Sequence, residues 1–279
     1  MDYYLSVTTF AALNVVLAVG LNLISGFCGQ VSLGHAAFYG LGAYAAALTA
    51  IAGLPFGLTL LAGVLVAGAC GAVVAFAALR VREDFLAIVT MGVGFLFLGA
   101  VRKQRWLGAE MGLANIPSPL GKWGYAALAT GAALGLVLLS LHVRRSWMGR
   151  AFDAVAQDED AARSIGIDVA GYKITAFFLG TAAAGLAGGI YAHLTQLIVP
   201  DAFNFIESIS ILAMVAVGGL GSTLGVVAGA VLLTLIPELF RFVNEYKLLA
   251  YGGLLLVVMR VSPGGLAGLV QRLTGRELK

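Results

Sequence analysis

The chain has 279 residues, 60% of them hydrophobic and 11% charged, with a formal net charge of +3 and a mean hydropathy of +0.96. A soluble domain carries about 25% charged residues, so a soluble globular protein is excluded, and the slight basic excess excludes the dense basic face that nucleic-acid binding needs. Apolar runs of roughly 17 to 25 residues, enough to cross a bilayer as helices, recur along the whole length without the alternation of barrel strands. The composition therefore predicts an all-α, polytopic transmembrane helical bundle.

The first predicted span is Leu5–Ser25. No basic n-region or evident cleavage site precedes it, so it is expected to stay as a membrane helix. Asp2 is the only charged residue before Arg80. Into this greasy stretch the chain writes "GFCGQVSLGHAAF", placing Gln30, Ser32 and His35 among Gly26, Gly29 and Gly34. Lipid offers no hydrogen bonds, so polar side chains and broken backbone need protein or water beside them. The stretch predicts a broken helix facing the protein interior. Two roles stand for Gln30, Ser32 and His35: tying the break to its neighbours, or lining a path for a polar solute. His35 has no neighbouring set of metal ligands, so no metal site is expected. Cys28 and Cys70 read as buried small hydrophobes.

Spans at Ala36–Ala52, Phe56–Leu79, Phe85–Val101, Gly124–Val143 and Ile174–Leu194 follow. Phe205–Phe240 is too long for one span and is cut by "GGLGS", Gly218–Ser222, into two short segments; a last span is predicted at Leu248–Val261. That makes eight to ten segments, some broken or re-entrant. Gly26–Gly42 and Gly218–Gly229 are dense in glycine, one in each half of the chain. Paired interruptions of this kind point to broken helices around a transport site. Gly131 and Gly135, and Gly221, Gly225 and Gly229, are spaced four apart and are expected to let helix backbones approach.

Lysine and arginine place the Arg144–Lys173 loop and the tail with Arg260, Arg272, Arg276 and Lys279 in the cytoplasm. Counting back puts Arg80–Asp84 inside but Arg102–Arg105 outside, against that rule. Either an earlier segment is re-entrant or the fourth span is misread, and the orientation of the N-terminus stays open. Trp106, Trp123 and Trp147 are expected at membrane boundaries, His142, His193, Glu207 and Glu238 near segment ends, and Asp201 in an external loop. The external stretch Leu107–Lys122, with Pro117 and Pro119, is a candidate contact for an outside partner, as any external loop would be.

Within the Arg144–Lys173 loop, Ala151–Ile165 is rich in alanine and free of proline and glycine, which predicts one short helix. Phe152, Val155, Ala162 and Ile165 fall near one face, with Asp153, Asp158 and Asp160 largely away from it. Glu159 stands four before Arg163, the better order for a helical ion pair, and Gly166 is a natural stop. Such a helix can lie in lipid headgroups. The acidic run Asp158–Asp160 would be repelled there, which favours a protein groove. No lysine has the phosphate-loop context G-x-x-x-x-G-K-[ST], so ATP could be hydrolysed only by a separate subunit docked at this helix.

Four stretches, "GLNLISGFCGQVSLGHAAFYGLGAYAAAL", "DFLAIVTMGVG", "DEDAARSIGIDVAGYKITAFFLGTAAAGLAGGIYAHL" and "MVAVGGLGSTLGVVAGAVLL", occur in order along the chain. Together they resemble the LivM-type permeases of bacterial ABC importers for branched-chain amino acids, from about Leu13 to Leu269. The resemblance implies ABC importer permease architecture: residues 1–279 as a single transmembrane permease domain, with a coupling loop within 144–173. It implies a LivH-like second permease, two ABC ATPase subunits that bind the ATP, a periplasmic substrate-binding protein and a place in the bacterial inner membrane. No cofactor is implied on this chain. The similarity to the family's coupling helix puts Asp158, Glu159, Ala161, Ala162 and Gly166 at the ATPase contact. Gln30, Ser32, Gly34 and His35 remain a translocation path or a broken-helix site.

Two departures bear on the substrate. Phe95 follows "MGVG" where many relatives carry an acidic residue, and "LGAEMGLANIP" replaces an expected Thr-Gly-Gly turn. A permease for urea, short amides or another small solute therefore stands beside the branched-chain reading. An ion-coupled secondary transporter would carry carboxylates within its spans, and the predicted span interiors hold none. No nucleophile, base or metal constellation points to an enzyme.

Overall fold

The computed structural model describes residues 2–79 and 83–239, together with 252, 253, 256, 260, 262 and 264–274. Helix α1 (Asp2–Leu21) passes into a π-helical turn, Asn22–Phe27. The chain is then non-helical until α2 (His35–Ile51). Long spans follow at α3 (Phe56–Ala78), α4 (Glu83–Lys103) and α5 (Lys122–Arg145). Two short helices, α6 (Trp147–Gln157) and α7 (Glu159–Ser164), lead to α8 (Val169–Thr195). After it come α9 (Phe205–Gly218), α10 (Thr223–Leu239) and α11 (Gly265–Thr274). Among the described residues, six helical stretches are long and apolar enough to cross a membrane, and the chain is a multi-pass membrane protein.

The predicted spans recur with shifts of a few residues at their ends, and the predicted cut at Gly218–Ser222 divides α9 from α10. The span expected at Leu248–Val261 falls mostly outside the described residues. The loop helix is different. One helix was expected over Ala151–Ile165, but the chain breaks at Asp158, where φ is −163°. The Asp158 carboxylate accepts from the backbone N–H of Asp160 at 2.9 Å and of Ala161 at 3.0 Å. A short acidic side chain satisfies orphan N–H groups better as a cap than it serves a helix interior. Ser146, Asp168 and Asn204 cap α6, α8 and α9 in the same way.

Helices α6 and α7 lie on one side of the bundle, the loop side. The π-turn ends there too, because the Arg144 guanidinium sits 5.3 Å over the Phe27 ring. Helix α1 therefore begins on the far side. From Phe27 the chain doubles back: Gly29 meets Ala156 of α6, while His35 has already reached Gly20 of α1, opposite Gly180 of α8. Helix α2 thus starts part-way through the bilayer and runs beside α8, Gly42 against Gly185 and Ala43 against Gly188. With the segment before it, α2 completes a crossing from the loop side to the far side, so neither a re-entrant segment nor a misread fourth span removes the charge violation. Arg102 pairs with Asp201 at the far end of α8, so the basic run Arg102–Arg105 lies opposite the loop helices despite its charge.

Glycine makes the centre. Gly42, Gly63 and Gly185 bring the backbones of α2, α3 and α8 into contact, with a Cβ at Gly63 falling 2.9 Å from the Gly42 carbonyl oxygen and 3.1 Å from that of Gly185. Two expectations about spacing divide. Gly225 and Gly229 do seat α10 on Gly218 and Met214 of α9. Gly131 and Gly135 do not mediate close packing, since a Cβ at either meets nothing within 4 Å among the described residues; the same spacing faces outward on α5. Trp106, Trp123 and Trp147 are exposed, as boundary anchors are. Cys28 is buried, but Cys70 only partly so, and neither is in a disulfide.

On the far side the Leu107–Lys122 stretch is tied down rather than loose. Leu113 pairs with Ile198 in an isolated bridge. His193 joins Pro117 O at 2.6 Å through Nδ1 and Thr59 Oγ1 at 2.8 Å through Nε2. His193, expected only near a segment end, therefore ties α3, α8 and the external stretch together.

Candidate functional site

Both interruptions in the bundle have a physical cause in glycine, and they touch. At the second one Gly219 and Gly221 take φ of +109° and +80°, a region closed to most side chains. The Gly221 N–H donates to Asn22 Oδ1 at 2.9 Å. A Cβ on Gly26 would strike the Asn22 side chain and reach 2.5 Å from Gly221 N. Across the joint, Ser140 Oγ and Thr223 Oγ1 share a hydrogen bond of 2.9 Å. The two glycine-dense regions singled out in the sequence thus meet. Asn22, the residue that joins them, was not singled out. Its signal was an amide in an apolar run, four residues before a glycine.

The first interruption is held by side chains from three directions. Gln30 N donates to Ile24 O at 3.1 Å, and Ser25 Oγ donates to Gln30 O at 2.9 Å. Leu33 N donates to Thr90 Oγ1 of α4 at 2.9 Å, and Ala36 N to Ser208 Oγ of α9 at 3.0 Å. Burial alternates along this non-helical segment. Gln30 and Ser32 are buried, while Gly29 and Val31 are exposed. His35 is fully buried between the Leu17 backbone and Gly20.

Gly34 has no room for a side chain because a Cβ would collide with the carbonyl of Thr90. Gly34→Leu is expected to push α4 off the break and lower uptake by about tenfold or more, since backbone on the opposing helix cannot give way as a side chain can. Transport that stays normal in membranes containing equal amounts of the variant would show that α4 does not need this contact.

The loop helices sit directly on the break. Phe152, Val155 and Ala162 share one apolar cluster with Leu23, Phe27 and Cys28, and Gly29 lies against Ala156. Arg144, besides covering Phe27, reaches toward Gly221, its Nη1 lying 3.9 Å from where a Cβ there would stand. Glu159 forms an ion pair with Lys173 at the foot of α8, with side chains only 15% and 9% exposed. Arg163 reaches Glu159 at 3.2 Å, as its spacing predicted, and Asp160 at 2.9 Å.

Of the five residues expected at an ATPase contact, Asp158, Ala161 and Gly166 face outward, whereas Ala162 is buried and Glu159 turns toward Lys173. Ile165 was expected on the inner face but is 75% exposed. Helix α7 ends at Ser164, and the turn through Gly166, at φ +86°, carries Ile165 out.

A multi-pass helical protein with two apposed helix breaks, and short helices seated on one of them, has the build of a membrane permease. Residues 3–259 match the family described as "Branched-chain amino acid transport system / permease component". The high-affinity branched-chain amino acid transport system permease protein LivM of Salmonella typhimurium is 36% identical, aligned over 93% of this chain and 69% of that protein. The LivM protein of Escherichia coli K12 is 35% identical over the same shares. The permease protein LivH of Escherichia coli K12 is 24% identical, over 93% of this chain and 92% of its own length. No solved structure matches the chain. The chain belongs to the branched-chain amino acid transport permease family.

Proposed function

We propose that the chain is the permease subunit of an ATP-driven importer for branched-chain amino acids in the bacterial inner membrane. A LivH-like permease completes the pore, two ATPase subunits dock on α6 and α7, and a periplasmic binding protein delivers solute on the far side. The observation that supports this reading most is the seating of α6 and α7 on the first break, through Phe152, Val155 and Ala156. A displacement of these helices reaches the membrane interior without passing through a flexible linker. Arg144 extends the same contact to the second break. The outward set Asp158, Ala161, Ile165 and Gly166 is the surface offered to the ATPase, and the chain's role is conduction rather than catalysis.

In this reading Ser25, Thr90 and Ser208 anchor the break, while Ser32 Oγ and both His35 ring nitrogens are buried with no hydrogen-bond partner among the described residues, and Gly34 lets the break pass α4. The alternative cargo, urea or a short amide, is disfavoured by one feature. Phe95 is 53% exposed and stacks on Phe205 with ring centroids 6.1 Å apart, an apolar surface suited to a branched side chain. Cells lacking the gene are expected to lose high-affinity uptake of labelled leucine, competed in the wild type by isoleucine and valine but not by urea. Unchanged leucine uptake in a strain with no second system would move the substrate to another solute.

A further inference from the structure

The non-helical segment between α1 and α2 leaves one edge open at Val31, which is 48% exposed. Leu33 and Ala36 give their N–H groups to α4 and α9, but the N–H of Val31 has no hydrogen-bond partner among the described residues. The segment climbs from Gly29, against the loop helix α6, to His35, beside Gly20 within the bundle. Val31 lies between these two points, inward of the loop helix. Open backbone at membrane depth is tolerated only against protein or a water-filled cavity, never against lipid.

The edge is framed by two helices. Thr90 of α4 holds it at Leu33, Ser208 of α9 holds it at Ala36, and the Phe95–Phe205 stack bridges the same two helices. Along α9 the outward face continues through exposed Ile206 and Ile209. The outward face of α5, with exposed Leu134 and Leu138, comes from an uninterrupted helix whose backbone is bonded within itself, so lipid can cover it. The two apolar faces therefore differ in what can lie against them.

We propose that the face made by α4, the Gly29–Leu33 edge and α9 is the seat of the second permease subunit and the wall along which the solute passes. The proposal rests on the importer reading above and adds the location of the pore. The free N–H of Val31 suits the carboxylate of an amino acid, and the Phe95–Phe205 pair suits its branched side chain. Gln30, Ser32 and His35, the polar side chains of the break, point away from this wall.

The test uses the complete complex in proteoliposomes, with Cys28→Ala and Cys70→Ala as background. Single cysteines are placed by Val31→Cys, Ile209→Cys and, on α5, Leu138→Cys, and only complexes that retain ATPase activity are compared. A charged, membrane-impermeant thiosulfonate is expected to modify Val31→Cys about tenfold or more faster than Leu138→Cys, because only the former borders water. Leucine, presented with the binding protein, is expected to slow that reaction. Ile209→Cys is expected to cross-link to the second permease with a short bifunctional reagent.

Equal, slow labelling at Val31→Cys and Leu138→Cys in a complex that still takes up leucine would overturn the wall and leave the importer reading intact. So would an Ile209→Cys that no partner chain captures. Fast labelling protected by a different solute, but not by leucine, would support the wall and remove the substrate assignment instead.

Discussion

Glu159→Lys is expected to reduce leucine uptake by an order of magnitude or more while the protein still inserts in the membrane. Glu159 and Lys173 are largely buried as a pair, and removing one partner of such a pair costs about 3–5 kcal/mol because the other is left uncompensated. The lysine variant goes further, placing two ammonium groups together at the foot of α8 and releasing α7. Partial exposure moderates this cost, since water reaches the rim of the pair. The exchange variant Glu159→Lys with Lys173→Glu separates two roles. Recovered uptake means that the pair itself holds the loop helices in place, whereas a dead double variant that inserts normally means that Glu159 also serves the ATPase. Undiminished uptake in the single variant would remove the pair from the mechanism.

The second large effect concerns the centre of the bundle. Gly42→Leu is expected to leave less than about a tenth of the wild-type yield of assembled protein, as overpacking against backbone exceeds the usual cost of about 1–3 kcal/mol. A Cβ at Gly42 already falls 2.6 Å from the Gly185 carbonyl oxygen, so neither helix can yield without separating α2 from α8. Gly131→Leu is the matched control, since that position opens onto space among the described residues. Size-exclusion profiles of detergent extracts distinguish the two. Similar, well-folded peaks for both variants would show that close α2–α8 contact is not required.

These two sites also mark where the sequence could and could not be read. Long apolar runs bounded by charge gave the spans directly, because a helix that must cross lipid has its length set by the bilayer. The breaks were legible for a similar reason: polar residues and clustered glycine have few explanations at membrane depth. Partnership between glycines was not legible. Gly42, Gly63 and Gly185 lie on three helices with no shared spacing, while the regular pair Gly131 and Gly135 faces outward.

The loop helix was legible as an amphipathic element but not as two. Asp158 caps α7 by folding its carboxylate back on two N–H groups, a local competition that average helix propensity overlooks. The face of the break was hardest. Polar side chains were natural choices for a solute path, yet the fold buries Gln30 and Ser32 and leaves Val31 at the surface. Backbone donors leave no trace in residue identity.

The most direct measurement is accumulation of labelled leucine in proteoliposomes that hold this chain, a LivH-like permease and the two ATPases, with binding protein on the far side. The account predicts accumulation only when ATP is supplied on the side of α6 and α7, with competition by isoleucine and valine and indifference to urea. Accumulation driven by a sodium or proton gradient in the absence of ATP would contradict it.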